Sequence, residues 1–516
     1  MVEIMDTTLR DGEQTPGVAF KDIEKLNIAK MLLEDVKVDR IEVATAGISE
    51  GEFNAVSEIS KWAKKHGYEN SIEVLGLLNG GRSIEWIKEA GAKTVNLLCK
   101  GSLKHLQVQL GKDPAQHIED IKNEIDIASR NDIDVNIYFE DWSNGIQDSP
   151  EYVFELLENL KNEPIKRFML PDTLGIFNPE QTYKYCKKVV EKFPELHFDF
   201  HAHNDYGFGV ANTYYAVKAG MNGLHTTVNG LGERTGNNSL SNTCAVLKDH
   251  LNLELQIKEK KLTKISSLVE TFSGQRVPDN KPIVGNNVFT QDCGIHADGD
   301  NKGGLYQNKL SPERFGRVRE YALGKTSGKA SIEQNLKKLG IELDPHSLKK
   351  VTEKVIELGD KKENITVEDL LYIVSDVSGS EYLEKKITID SYNISYAYGL
   401  KPVASVKINI EEQQFEAVAA GDGQYDAFMQ ALEEIYKNVG RKLPLLKDYV
   451  VTIPPGGKTN ALVETNIVWE YEGEEYQTRG LDSDQTASAV KATIKMLNLI
   501  ETGFNNVFAG INGSES

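Results

Sequence analysis

Cysteine is scarce in this sequence. Only four cysteines occur among 516 residues, and no two of them have the spacing of a C-x-x-C pair. This scarcity excludes a disulfide framework and a thiolate metal site, and it is typical of free thiols in a reducing compartment. Long hydrophobic runs are also missing, since none approaches the roughly 18 apolar residues that a membrane-spanning helix needs. Because Glu3 and Asp6 stand where a signal peptide would be apolar, we expect a cytoplasmic protein.

Positively charged residues are outnumbered by negatively charged ones. Lysines and arginines number 59 against 78 aspartates and glutamates, which gives a formal net charge of -19. The chain therefore has no basic field to attract the phosphates of a nucleic acid or of an anionic membrane, and we expect neither as a partner. The remaining composition, 40% hydrophobic and 27% charged, is that of a folded protein long enough for several domains.

The first 254 residues alternate short β-rich runs with amphipathic helical stretches. Eight such pairs predict a (β/α)8 TIM barrel over residues 1–254. A doubly wound parallel sheet is the structural alternative, although it would need fewer strands and a phosphate-binding loop after the first one. The glycine-rich run at residues 230–236 follows the eighth run instead and lacks that loop's spacing.

The rest of the chain changes pattern twice. Residues 255–385 are mainly helical and are predicted to form linker subdomains. Residues 386–516 contain two similar segments in which three strands precede a helix, which predicts an α+β domain built from two βββα units. Because this module has no clustered histidines, cysteines or acid–base pairs, we expect a regulatory or structural role for it.

Arg10 and Asp11 end the first predicted strand, within the run DTTLRDGEQ at residues 6–14. An adjacent cation and anion at a strand end suit a catalytic site, in which the cation would stabilise charge developing on a substrate and the anion would bind a metal ion. A solvated pair in a turn is the alternative interpretation. The run alone does not decide between them.

Two histidines, His201 and His203, end the seventh predicted strand. Residues i and i+2 of a strand face the same way, so both imidazoles are expected to project into the barrel mouth. In a closed barrel, strands seven, eight and one are neighbours, which brings Asp11 and Asn237 to the same arc of the rim. These candidate ligands predict a catalytic site for Zn²⁺, Mn²⁺, Mg²⁺ or Co²⁺, and a hydrogen-bonded histidine pair is the alternative.

Two further rim positions carry polar side chains. Glu140 follows the fifth predicted strand, and Thr173 follows the sixth. Beside a bound ion, Arg10 would be able to stabilise an enolate or a keto oxygen. Glu140 taken alone is also typical of a solvated carboxylate at a barrel rim.

Three motifs carry a resemblance to a known family. They are DTTLRDGEQ at residues 6–14, HAHND at residues 201–205 and NGLGERTGN at residues 229–237. In these motifs and their order, the chain resembles the 2-isopropylmalate synthase, homocitrate synthase and citramalate synthase family over its whole length. The resemblance implies a catalytic barrel, a linker region and an amino-acid-binding regulatory domain, which correspond to the three segments predicted above.

The resemblance also implies a reaction, a Claisen-type condensation of acetyl-CoA with a 2-oxo acid followed by thioester hydrolysis. It implies that a metal ion binds the oxo acid and that Arg10 stabilises the developing oxyanion. The acetyl methyl proton is weakly acidic and needs a positioned base, a task that the resemblance gives to Glu140 with His296. The implied metal ligands are Asp11, His201, His203 and Asn237.

The resemblance further implies a homodimer, because the residue corresponding to His296 comes from the partner subunit in this family. Thr173 would bind the carboxylate of the acceptor, and Tyr306 would lie near the site. A barrel that senses an amino acid and has lost catalysis is the alternative from another functional class. The presence of Arg10, Glu140 and His296 argues against that alternative.

The choice of acceptor depends on the volume of the pocket. The resemblance places three side chains, Leu75, Leu98 and Tyr138, around the side chain of the 2-oxo acid. Isopropylmalate synthases typically have a histidine and a small polar residue where Leu98 and Tyr138 stand here, and homocitrate synthases need a cation. The bulky apolar pair therefore predicts pyruvate as the acceptor and citramalate as the product, with 2-oxoisovalerate as the alternative acceptor.

The C-terminal module is expected to bind an end-product amino acid. Isoleucine is the expected inhibitor for a citramalate route, and leucine is the expected one for an isopropylmalate route. The positions that match the ligand-facing residues of the family are Tyr425, Asp426, Tyr449, Thr459 and Val463.

Overall fold

A computed structural model describes residues 2–291, 299, 302–339, 341–360, 365, 367–378, 386–411, 413–452 and 463–501. The chain divides into two compact units. The first comprises Met1–Phe289 and Asn308–Val318, and the second comprises Thr290–Gln307 and Arg319–Ser516. Among the residues described, no helix combines the length and the hydropathy required to cross a bilayer. Three of the cysteines, Cys99, Cys186 and Cys244, are buried free thiols.

The first unit is a closed barrel of eight parallel strands in chain order, which confirms the predicted fold. The barrel closes where Glu3 to Asp6 of the first strand pair with Gly223 to Thr226 of the last. A doubly wound sheet would remain open between its outer strands, so that alternative is excluded. The strands are β1 Glu3–Asp6, β2 Arg40–Thr45, β3 Ile72–Leu77, β4 Thr94–Lys100, β5 Asp134–Glu140, β6 Ile165–Asp172, β7 Phe198–Ala202 and β8 Gly223–Thr226.

Helices surround the barrel and bury its outer face. Local signals begin several of them: Asp113 and Asn178 each accept a hydrogen bond from the backbone three residues later, and a proline follows each. Such caps stabilise a helix by about 1 kcal/mol. The helices are α1 Asp22–Lys30, α2 Glu50–His66, α3 Arg82–Glu89, α4 Leu103–His105, α5 Pro114–Arg130, α6 Trp142–Asp148, α7 Pro150–Leu160, α8 Pro179–Lys192, α9 Gly209–Lys218, α10 Leu240–Leu251 and α11 Leu262–Ser273.

A fully buried lysine holds the loop that follows β1. Lys25 Nζ lies 2.6 Å from carboxylate oxygens of both Glu13 and Glu52, and it donates a hydrogen bond to the Leu9 carbonyl at 3.0 Å. These contacts tie the loop to α1 and α2. Because buried charges are tolerated only when paired, Lys25 fixes the backbone that carries Arg10 and Asp11.

Among its described residues, the second unit has three helices followed by two repeats, each with an antiparallel sheet and one further helix. In each repeat a three-stranded sheet precedes a helix, which confirms the predicted pair of βββα units. The helices before the repeats are α12 Lys329–Lys338, α13 Pro345–Asp360 and α14 Val367–Ser378, beside the short parallel pair β9 Thr290–Gln291 and β10 Glu320–Tyr321. The repeats comprise β11 Ile387–Ser395, β12 Val403–Ile410, β13 Gln413–Ala420 and α15 Gln424–Val439, then β14 Leu445–Thr452, β15 Val463–Tyr471, β16 Glu474–Asp482 and α16 Gln485–Glu501.

Candidate active site

The predicted metal ligands meet at the carboxyl-terminal rim of the barrel. One ligand atom from each of Asp11, His201 and His203 lies within 4.8 Å of the others. The Nε2 atoms of His201 and His203 face Asp11 Oδ2 at 3.1 and 3.9 Å. The backbone of Asn237 forms an antiparallel bridge with that of His203, so the structure brings all four predicted residues to one place.

The glycine-rich loop after β8 allows Asn237 to reach this rim. Gly236 has φ +80°, and a Cβ there would collide with the Gly230 carbonyl oxygen. The Asn237 side chain donates from Nδ2 to the Leu231 carbonyl at 3.1 Å. This bond orients the amide, because Nδ2 is held by the loop and the acceptor Oδ1 is left for another partner.

The donor set fits a divalent cation. Asp11 Oδ1 and Asn237 Oδ1 are buried, and neither has a hydrogen-bond partner among the described residues. Buried oxygens of this kind are costly unless something satisfies them. One carboxylate, two imidazoles and one amide oxygen, without thiolates, suit Zn²⁺ or a similar ion with open positions for substrate.

The protonation states also suit a metal site. Burial alone would raise the pKa of Asp11, but the Arg10 guanidinium and the His201 imidazole outweigh it and hold that pKa well below its usual range. Burial, together with the neighbouring His201, lowers the pKa of His203 to about 4. At neutral pH the cluster therefore offers an ionised carboxylate and a neutral His203 imidazole, which are the forms that bind metals.

Arg10 is held beside this cluster by residues that sequence analysis did not identify. Its Nε donates to Glu42 Oε2 at 2.5 Å, and its Nη1 lies 3.5 Å from Asp11 Oδ2. Glu42 is completely buried and also accepts from Asn96 Nδ2 at 2.7 Å. Burial raises the pKa of Glu42, although Arg10 opposes the shift. The guanidinium therefore has a fixed orientation before any substrate arrives.

The three predicted pocket residues form one apolar cluster inside the barrel. Leu75 and Tyr138 pack with Met5 and Met169, and Leu98 lies against this group. Leu98 and Tyr138 are register partners on β4 and β5. The Tyr138 ring meets the His201 ring edge-on, with centroids 6.1 Å apart, so its bulk lies beside the candidate metal ligands.

The Tyr138 hydroxyl belongs to a polar network that the sequence did not predict. It accepts from Arg10 Nη2 at 3.4 Å and lies 3.0 Å from His225 Nδ1, while His225 Nε2 lies 3.2 Å from Asp199 Oδ2. Burial lowers the pKa of His225 to about 3. One sequence feature does point to this network: Glu42 and His225 are polar residues inside short apolar strands.

Glu140 ends β5 and forms an ion pair with Lys100 at the end of β4. Lys100 was not predicted as a site residue. Its backbone is held on both sides: the N–H donates to His117 Nε2 at 3.1 Å, and the carbonyl accepts from the Tyr152 hydroxyl at 2.9 Å. The Thr173 hydroxyl oxygen accepts from the Asp141 N–H at 2.9 Å. Glu140 is thus a paired side chain in a rigid setting, not a free carboxylate.

The structure does not test the roles of two other predicted residues. His296 lies outside the described residues. Tyr306 belongs to the second unit, where its side chain is exposed. The roles assigned to both stay predictions.

Two of the predicted effector residues meet between the βββα repeats. The rings of Tyr425 and Tyr449 stack with centroids 5.2 Å apart, and the Tyr425 hydroxyl lies 2.7 Å from Thr493 Oγ1. The Asp426 carboxylate instead accepts from the Asp422 N–H at 2.7 Å. Val463 begins β15, and Thr459 lies outside the described residues.

Three family models match consecutive parts of the chain. The model described as HMGL-like matches residues 1–269, which include every candidate metal ligand. The homocitrate synthase post-HMGL domain-like model matches residues 283–363. The model of the LeuA allosteric (dimerisation) domain matches residues 364–501, which include both βββα repeats.

Curated relatives match almost the whole chain. A provisionally named (R)-citramalate synthase of Methanopyrus kandleri is 34% identical over 468 residues, 90% of this chain and 89% of the relative. In Methanocaldococcus jannaschii, an (R)-citramalate synthase is 32% identical and covers 97% of this chain and 99% of itself. A 2-isopropylmalate synthase of the same organism is 33% identical, with 97% and 94% covered.

Proposed function

The chain belongs to the HMGL-like family, and we propose that it condenses acetyl-CoA with pyruvate. It is an acyltransferase-type enzyme, similar to both the citramalate synthases and the 2-isopropylmalate synthases. The relatives support condensation of acetyl-CoA with a 2-oxo acid. Because their identities to this chain are nearly equal, they do not separate the two acceptors. The choice of pyruvate rests on one observation, the packing of Leu98 and Tyr138 beside the candidate metal ligands.

We infer that these packed side chains leave room for only a methyl group on the acceptor. Tyr138 is 3% exposed and Leu75 is 6% exposed, and the two share one cluster with Leu98. The isopropyl group of 2-oxoisovalerate is two methyl groups larger than the methyl of pyruvate. Forcing that volume into a packed site costs about 1–3 kcal/mol, which corresponds to roughly a 5- to 150-fold preference for pyruvate.

The chemistry follows from the side chains already placed. Asp11, His201, His203 and Asn237 would hold a divalent ion, which supplies a Lewis acid for the acceptor carbonyl. The Arg10 guanidinium, whose orientation Glu42 fixes, would stabilise the negative charge that develops on the keto oxygen. Glu140, with His296, would help to remove the acetyl methyl proton, and the enolate carbon would then form the new C–C bond to the keto carbon. The keto oxygen would take up a proton, and water would cleave the thioester to give citramalate and CoA.

A thiol-release assay with a panel of acceptors tests this proposal. The purified full-length protein is given acetyl-CoA, Mn²⁺ or Zn²⁺, and one of pyruvate, 2-oxobutyrate, 2-oxoisovalerate or 2-oxoglutarate. We expect CoA release to be fastest with pyruvate, and mass spectrometry should identify citramalate. Release with 2-oxoisovalerate alone would assign the chain as a 2-isopropylmalate synthase, and no release with any acid would favour a non-catalytic sensor.

Enlarging the pocket is expected to relax the choice of acceptor. The double variant Leu98→Ala/Tyr138→Ser should raise the ratio of kcat/KM for 2-oxobutyrate to that for pyruvate by about tenfold, because the lost volume accommodates the extra methylene. Leu110→Ala, at an exposed leucine after β4, is the matched control and should leave the ratio unchanged. An unaltered ratio in the double variant would show that these side chains do not line the pocket.

We further propose isoleucine as the feedback inhibitor, bound by the second unit near the stacked pair Tyr425 and Tyr449. Isoleucine should inhibit CoA release at lower concentrations than leucine. Tyr449→Ala should raise the isoleucine concentration for half-inhibition by about tenfold, because an aromatic contact is lost. Stronger inhibition by leucine than by isoleucine would contradict this assignment.

A further inference from the structure

A chain of buried hydrogen bonds links the interior of the barrel to its rim. Asp199 Oδ2 lies 3.2 Å from His225 Nε2, His225 Nδ1 lies 3.0 Å from the Tyr138 hydroxyl, and that hydroxyl lies 3.4 Å from Arg10 Nη2. Asp199, His225 and Tyr138 are all less than 4% exposed. We call this series of hydrogen bonds the Asp199–His225–Tyr138 relay. It ends at Tyr138 and Arg10, two side chains of the candidate active site.

The chemistry of the partners fixes the direction of every hydrogen bond in the relay. The Asp199 carboxylate only accepts, so His225 carries its proton on Nε2 and presents Nδ1 as an acceptor. The single proton of the Tyr138 hydroxyl must then point to Nδ1. The oxygen lone pairs of that hydroxyl are left for Arg10, which only donates.

Asp199 is itself held firmly from the other side. Arg40 Nη2 lies 2.5 Å from Asp199 Oδ2, and His197 Nε2 lies 2.9 Å from Asp199 Oδ1. Arg40 in turn pairs with Glu73 at 2.8 Å. The relay therefore begins at a rigid cluster of charges and not at a mobile side chain.

The relay restrains the Tyr138 ring. If the ring turned away from the acceptor pocket, its buried hydroxyl would lose both partners, and His225 Nδ1 would be left unpaired. Leaving buried polar atoms without partners is unfavourable. The ring is thus held at one end by its hydroxyl and at its edge by His201.

We propose that His225 and Asp199 are positioning residues that fix Tyr138 against the acceptor pocket and thereby enforce selection of the smaller 2-oxo acid. The inference rests on the proposed function for its substrates. It extends the determinants of specificity to two side chains that act through Tyr138 and need no contact with the acceptor. A purely structural role for the relay would lower stability without changing the ratio between acceptors.

A double-mutant cycle separates these roles. Tyr138→Phe and His225→Leu each break the relay, so each should raise the kcat/KM ratio of 2-oxobutyrate to pyruvate by about fivefold, the factor expected for one ordinary hydrogen bond. The double variant should show the same rise as either single variant and not their product. His197→Gln is the matched control, because it removes a histidine from the same Asp199 carboxylate without touching Tyr138, and its ratio should stay within about twofold of the wild type.

Two outcomes would overturn the inference: a normal ratio in the His225 variant, or changes that multiply in the double variant. If His225→Leu does not fold, His225→Phe, whose ring can neither donate nor accept, replaces it with the same expected direction. Failure of the proposed function is recognised separately, because the wild-type protein would then not act on pyruvate. In that case the same cycle, measured with the accepted acid and the homologue one methylene longer, still tests the relay.

Discussion

Replacing Asp11 with Asn should lower the rate of condensation by about a thousandfold, because a divalent ion contributes several kcal/mol of transition-state stabilisation and its charged ligand is lost. Asn has nearly the same shape as Asp, so the packing of the rim is preserved. The substitution removes the negative charge of Asp11, which lies beside the two histidines and Arg10 and would also face a bound cation.

Metal binding provides the direct measurement. After treatment with a chelator, the wild-type protein should bind Mn²⁺ or Zn²⁺ in calorimetry with a matching rise in its thermal midpoint. The Asp11→Asn variant should show neither. Asp22→Asn, at an exposed position in α1, serves as the control for loss of one negative charge. If Asp11→Asn retained both metal affinity and activity, the ion would have to bind elsewhere.

The Arg10→Gln variant should lose both activity and stability. Activity should fall by about a hundredfold, the usual effect of removing one group that stabilises developing negative charge. Stability should fall by about 3–5 kcal/mol, because the buried Glu42 carboxylate would lose its ionic partner. Urea unfolding and the thiol-release assay measure the two effects independently.

The loss of stability in Arg10→Gln should depend on pH. Burial raises the pKa of Glu42 even with Arg10 present, so removal of Arg10 should raise it further. A carboxyl group whose pKa is raised by folding binds its proton more tightly in the folded state, and stability is lost as the pH rises through the folded-state pKa. The variant should therefore unfold more easily at about pH 8 than at about pH 5, by comparison with the wild type.

A second substitution separates the two roles of Arg10. In Arg10→Gln/Glu42→Gln, no charge remains buried at this pair, so most of the stability should return and the added pH dependence should disappear. Activity should stay low, because the guanidinium is still absent. Recovery of activity in the double variant would show that Arg10 is needed only to neutralise Glu42.

The barrel and the meeting of the candidate metal ligands could be predicted because both depend on order along the chain. Alternating β-rich and helical segments leave few ways to cover both faces of a parallel sheet. Once the barrel closes in chain order, the ends of β7, β8 and β1 must be neighbours. Asp11 and Asn237 follow β1 and β8, and His201 lies near the end of β7, so their meeting follows from topology.

The surroundings of these residues could not be predicted in the same way. Inside the barrel, Glu42 of β2 meets Asn96 of β4, and His225 of β8 meets Tyr138 of β5. Each taken alone is a polar residue in a short apolar strand, and no local pattern names its partner. The sequence likewise does not show that Lys100 pairs with Glu140, because only the pairing of β4 with β5 brings the two side chains together.

The sequence by itself therefore determined the fold class, the family and the four candidate metal ligands. These follow from periodicity, strand order and local motifs, all of which can be read along the chain without knowledge of any long-range contact. The tertiary structure decided how Arg10 is oriented, how Glu140 is paired and how Tyr138 is held. Those properties depend on contacts across the barrel, where the burial of charged and polar side chains makes each hydrogen bond obligatory and selects one arrangement among many.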